Sequence, residues 1–150
     1  PQTLVRLGLG SCAICSGTNS GVKEMDTVCR FLELVGQVFR VNEDQMDAIT
    51  GLSGSGPAFI YTMIDALADG GVREGLSRDM AVKLAAQTML GSAKMVLDGD
   101  AYPAELREQV TSPGGTTVAG LQVMEDKNVN GALADAVAAA TQRSRELGNS

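Results

Sequence analysis

Histidine is missing altogether from the 150 residues, tryptophan as well, and aromatic residues of all kinds make up 3%. Without histidine there is no Ser–His–Asp triad, no imidazole metal ligand and no imidazole general base. Any proton transfer falls to Asp, Glu, Lys, Tyr, Cys, a hydroxyl or water. Lys and Arg number 12 against 18 acidic residues, for a net charge of −6, and they never form a run. A nucleic-acid partner needs a clustered basic surface, so none is expected. Apolar stretches are broken by charge or glycine well before the ~20 residues a membrane span requires, so no membrane partner is expected either. No secretory leader is visible, but the chain does not begin with Met. Cysteine is scarce, with three copies, two of them in Cys12-Ala13-Ile14-Cys15. A redox pair or half a zinc site has this spacing, yet redox pairs of this type open helices and a zinc site lacks further ligands. A buried strand carrying two small thiols is the better reading, with no metal.

What remains is rich in Ala and Gly, and 44% of the chain is hydrophobic. Such a composition suits a globular chain of closely packed helices. Residues 1 to 10 read as a connection, and Ser11 to Ser16 as a short buried strand. Thr18 to Gly21 is a polar turn able to cap a helix over Val22 to Val35, with Met25, Val28, Cys29, Leu32 and Val35 on one face and Gly36 ending it. Gln37 to Val41 reads as a second strand. Asn42, followed by Glu43 and Asp44, has the chemistry of a helix start. Met46, Ile49 and Leu52 then mark a short helix, interrupted by Ser53 to Pro57. From there the pattern predicts helix after helix: Pro57 to about Gly71, Ser77 (as cap) to about Leu97, Pro103 to Gln109, Val118 to Glu125, and Asn130 to Leu147. The fold class is therefore mainly α, with a strand–helix–strand unit in front that looks like the trailing edge of an α/β domain.

Two glycine-rich stretches stand out. Gly51-Leu52-Ser53-Gly54-Ser55-Gly56-Pro57 superficially suggests a phosphate loop. The dinucleotide fingerprint fails at position 59, which is Phe, and a Walker lysine is absent. A close approach of two helices at glycine explains it better, with a loop lining a site as the alternative. The second stretch, Val110 to Thr117, reads VTSPGGTT. Gly114 and Gly115 let the backbone turn with N–H groups exposed, and a helix follows with its positive end at the same spot. Thr116 and Thr117 add hydroxyls. This is either a receptor for a carboxylate or similar anion, or an ordinary Ser-Pro helix start.

The segment Asp47 to Phe59 (DAITGLSGSGPAF) resembles a signature of the pyrroline-5-carboxylate reductase family. So does Asp65 to Val72 (DALADGGV), and VTSPGGTT resembles the family's most diagnostic motif. Order and spacing agree, and Arg143 to Leu147 looks familial too. Pro1-Gln2-Thr3-Leu4 is similar to a segment that follows a strand of the family's nucleotide-binding domain. The resemblance implies two parts: residues 1–41 as the end of a Rossmann dinucleotide-binding domain whose earlier strands are not in this sequence, and residues 42–150 as a helical substrate-binding and dimerisation domain. It implies reduction of 1-pyrroline-5-carboxylate to L-proline by hydride transfer from NADPH or NADH, the last step of proline biosynthesis. The coenzyme would be held mainly by the missing region, leaving these 150 residues alone inactive.

By the same resemblance, the substrate carboxylate is held by the loop through Ser112, Gly114, Gly115 and Thr116. Thr117 hydrogen-bonds the ring nitrogen and is the catalytic residue, and Glu43 lies near the substrate. Gln109 and Gln2 fall at positions close to the coenzyme, with Gln109 standing where relatives often carry Asn. Helices of two subunits interleave in the family, so a homodimer is expected, and a higher oligomer is compatible. Two rivals are a reductase of another small imine or keto acid, and a helical dimerisation module without catalysis. A cytoplasmic setting suits the free cysteines, and an organelle is also compatible.

Overall fold

The computed structural model describes residues 2–148. Pro1, first residue of the stretch likened to the family's linking segment, lies outside the described residues. The chain divides into two compact units: the residues up to Phe59 together with those from Leu133 onward, and Ile60–Ala132.

The first unit contains a pair of parallel strands, β1 (Gly10–Ile14) and β2 (Gly36–Arg40), joined by helix α1 (Val22–Leu32). The register runs from Gly10↔Gly36 to Ile14↔Arg40. At its opening end the two backbones come so close that a Cβ on Gly36 would land on the backbone of Gly10. Gly36 therefore begins a strand, where the sequence suggested a helix stop. The helix ends earlier, at Leu32, because the chain must turn through Glu33 to Val35 to enter the sheet. Residues 3 to 7 are not a plain connection either: they form a 3₁₀ turn, with the Gln2 side chain accepting from the Leu4 N–H at 2.9 Å.

After β2, Asn42 opens a 3₁₀ turn (Glu43–Gln45) that runs into the short helix α2 (Met46–Ile49). The glycine segment that was expected to interrupt this helix instead widens it into a π-helical turn, Thr50–Gly54. The cause is visible at Gly51, which is buried against the last helix, α7 (Val129–Gly148). A Cβ there would collide with the Thr141 hydroxyl and sit 2.8 Å from both the Thr141 nitrogen and the Val137 carbonyl oxygen. The close-approach reading of Gly51 thus holds, while Gly56 faces open space. Ser144 adds a tie by donating to Asp47 Oδ1 at 2.6 Å.

Helix α3 (Gly56–Arg73) leads into the second unit, which also holds α4 (Arg78–Asp98), α5 (Pro103–Gln109) and α6 (Thr116–Asp126). Ser77 caps α4 as expected, accepting from the Met80 N–H. Elsewhere the residue three places into a helical turn reaches back to the cap amide: Glu24 to Gly21, Gln45 to Asn42 and Glu105 to Tyr102, at 3.0–3.1 Å. Arg78 bridges Asp65 and Asp69, one helical turn apart on α3, and so fastens the start of α4 to it.

The interior of each unit is small. Cys12 and Cys29 are buried in the first, Ala68, Ala81 and Ala85 in the second. Large apolar side chains lie outside: Phe31 is 72% exposed, Tyr61 57% and Leu90 55%. The chain exposes 11070 Å² in all. A compact monomer of 15.5 kDa exposes roughly 7,200 Å², and two separate compact units of half that mass together roughly 8,700 Å². Neither unit covers its own apolar faces. Among the described residues, no helix is long and apolar enough to cross a membrane.

Replacing Gly51 with Ala should push α7 away from the π-helical turn. We expect a loss of about 1–3 kcal/mol in denaturant unfolding, whereas Gly56→Ala, in open space, should change stability by less than about 1 kcal/mol.

Candidate anion and substrate site

The loop between α5 and α6 is set by its own sequence. Pro113 and Gly114 form the centre of a turn closed by the Gly115 N–H donating to the Ser112 carbonyl at 3.0 Å. Gly114 has φ 70°, the left-handed value that the third position of a Pro-Gly turn of this kind requires. Gly115 is needed for another reason: a Cβ there would run into the Ser112 hydroxyl, which folds over it. Gly115 then caps α6, and no side chain caps the helix with it. The first N–H groups of α6, at Thr116, Thr117 and Val118, are those a helix leaves without internal partners. Helix α6 begins at Thr116, two residues before the expected Val118, so both threonines stand in its positive first turn.

Thr117 is half-buried, and Thr116 and Ser112 are exposed. Beside Thr117 opens a hollow of ≈ 360 Å³, lined by Gln109, Val110 and Leu121, by Met95 and Val96 of α4, and by Arg107. The structure thus brings Gln109 and Thr117 to one cavity. The apolar part of this lining was not foreseen. Its signal was the placement of Met95, Val96 and Val110 as large apolar residues with no interior to enter.

Glu43 and Gln2 belong to the other unit. Glu43 is exposed, and its Oε2 accepts the thiol proton of Cys15 at 2.7 Å. Cys15 falls one residue past β1, so only Cys12 of the pair is buried in the strand, and all three cysteines are free thiols. The hydrogen bond to Glu43, then loss of solvation, then the repulsion of its carboxylate push the Cys15 thiol above its ordinary value. Because the folded thiol holds its proton more tightly, its contribution to stability is complete below the unfolded pKa. It is lost as pH rises through the folded one. Cys15 also lines an open hollow of ≈ 610 Å³ with Gly17, Asn19, Ser20, Met25 and Met46.

A family model described as pyrroline-5-carboxylate reductase dimerisation matches residues 43–147. The chain belongs to this family. It is 45% identical to a pyrroline-5-carboxylate reductase of Synechocystis over 99% of its length and 55% of the relative's. With the soybean (Glycine max) reductase it shares 43%, over 98% of its length and 54% of the relative's. The structure superimposes with a TM-score of 0.93 on the Plasmodium falciparum pyrroline carboxylate reductase with NADP bound, at 35% identity, covering 99% of this chain and 60% of that one. The Coxiella burnetii reductase gives the same score at 34% identity, covering 98% and 55%. The chain spans about half the length of the curated relatives it matches. The reductase resemblance seen in the sequence is thereby established, as is the mainly α fold behind a strand–helix–strand unit.

Gly114→Ala meets no neighbour and suffers only backbone strain, of about 1 kcal/mol. Gly115→Ala must also displace Ser112. Thermal melts should therefore rank Gly115→Ala as the more damaging; the reverse order would remove the assigned turn.

Proposed function

We propose that this chain supplies the substrate-binding and dimer-forming part of an enzyme reducing 1-pyrroline-5-carboxylate to L-proline. The observation that carries the proposal is the Ser112–Thr117 turn delivering open helix amides and two threonines beside a cavity. The substrate is a small anion, and its carboxylate suits the unpartnered amide of Thr116 at the helix start, with the Ser112 hydroxyl nearby and Gly114 and Gly115 shaping the turn that exposes it. Held there, its ring nitrogen falls to the Thr117 hydroxyl. A hydroxyl is a weak acid, so Thr117 relays a proton from water or steadies an imine already protonated. Positioning supplies most of the acceleration. Glu43 is assigned to the substrate's surroundings.

A nicotinamide coenzyme, NADPH or NADH, supplies the hydride to the imine carbon when bound. The Gly51, Gly54 and Gly56 stretch is not a strand–turn–helix glycine cradle for its diphosphate, since all three lie in helical backbone. Gln2 and Gln109 are the proposed points of contact with it. The uncovered apolar faces support a homodimer, because obligate interfaces bury about 2,000–5,000 Å² and are rich in apolar side chains.

Thr117→Ala, in an enzyme carrying this chain, should lower turnover by about 100-fold or more with little change in NADPH affinity. Thr117→Ser should restore most of the rate, and unchanged turnover in the alanine variant removes the role. Calorimetry on residues 1–150 alone should find no micromolar NADPH binding; a micromolar isotherm overturns the division of labour.

A further inference from the structure

Cys15 and Glu43 leave the carboxyl ends of two adjacent parallel strands. The last pair in register is Ile14↔Arg40, and the Val41 N–H still donates to the Ile14 carbonyl at 3.0 Å. Cys15 therefore follows the final rung on one strand and Asn42-Glu43 follows it on the other. Gln45 closes back on the Asn42 N–H and fixes the turn from which Glu43 projects. The two side chains meet 28 residues apart in sequence, thiol to carboxylate, at 2.7 Å. Among the described residues no Lys or Arg forms an ion pair with Glu43. A glutamate otherwise free to rotate loses side-chain entropy when a ligand fixes it, so one already anchored is prepared for a ligand in advance. The place is also suggestive: parallel sheets receive ligands outside the carboxyl ends of their strands, and here the hollow lined by Cys15 opens there.

We propose that Cys15 is a positioning residue, whose thiol anchors the Glu43 carboxylate at the carboxyl end of the sheet and sets where it stands when a cyclic imino acid binds. This rests on the assignment of Glu43 to the substrate's surroundings. The upward push on the thiol keeps the donor proton on sulfur, and the acid-base neighbours facing it are Glu43 and, across the hollow, Glu24, which caps α1.

The test uses the 150-residue chain, with L-proline as probe in calorimetry and iodoacetamide as probe of the thiol. At about pH 8, near the ordinary thiol range, peptide mapping should show Cys15 alkylated several-fold faster in Glu43→Gln than in the unaltered chain; equal rates overturn the anchoring contact. Cys15→Ala should weaken L-proline binding several-fold, and Cys15→Ser, which keeps a hydroxyl donor, should restore it. Glu43→Gln should weaken binding at least as much, and the double variant Cys15→Ala/Glu43→Gln no further. Weakening by Glu43→Gln but not by Cys15→Ala overturns the role of Cys15 alone. No effect of Glu43→Gln, or no uptake of L-proline by the unaltered chain at millimolar concentration, overturns the site assignment and the proposal with it.

Discussion

Apolar surface that the chain does not cover is the constraint on which the rest depends. Among the described residues the buried side chains are Cys, Ala and one Thr, while many Leu, Met, Val, Phe and Tyr side chains lie exposed. Hydrophobic burial is the main favourable term in folding, and a protomer that buries only small residues draws little from it. Small residues do allow helices to approach closely, as Gly51 against Thr141 and Gly71 against Ala81 illustrate. The helices are thus held near one another by glycine and alanine, by Arg78 between Asp65 and Asp69, and by Ser144 on Asp47. The exposed ion pairs among these stabilise by less than about 1 kcal/mol each. Their larger apolar faces are left for another surface to cover.

The loop at Ser112–Thr117 shows the opposite economy of means. There almost every feature is local: proline and glycine set the turn, the second glycine makes room for Ser112, and the helix start follows at once. Local chemistry of this kind needs no partner to form, so the proposed anion receptor is preorganised in the protomer. Preorganised donors lose little freedom when they bind, which is what a small substrate with few contacts requires.

The same distinction explains what could be read from the residues alone. Helices α4 and α5 were legible at both ends because Ser77, Pro103 and the turn residues act within a few positions. The parallel strands were legible from their apolar runs, but not the role of Gly36, since its glycine answers to Gly10 across the sheet. The π-helical turn at Thr50–Gly54 was read as an interruption because its cause lies on α7, far along the chain. The thiol–carboxylate contact of Cys15 and Glu43 was hidden for the same reason: it follows from strand register, which no local pattern discloses. The Ser112–Thr117 motif was legible as a Pro-Gly turn opening a helix and through its family resemblance, whereas the apolar cavity beside Thr117 needed three helices in place.

The central claim is that a second copy of the chain covers the apolar faces. Its most direct test is equilibrium unfolding of residues 1–150 in denaturant over about a hundredfold range of protein concentration, with the mass followed by sedimentation. A chain completed by its partner unfolds from a dimer, so its midpoint should rise steadily with concentration. A monomer that unfolds cooperatively at a midpoint independent of concentration would contradict the account.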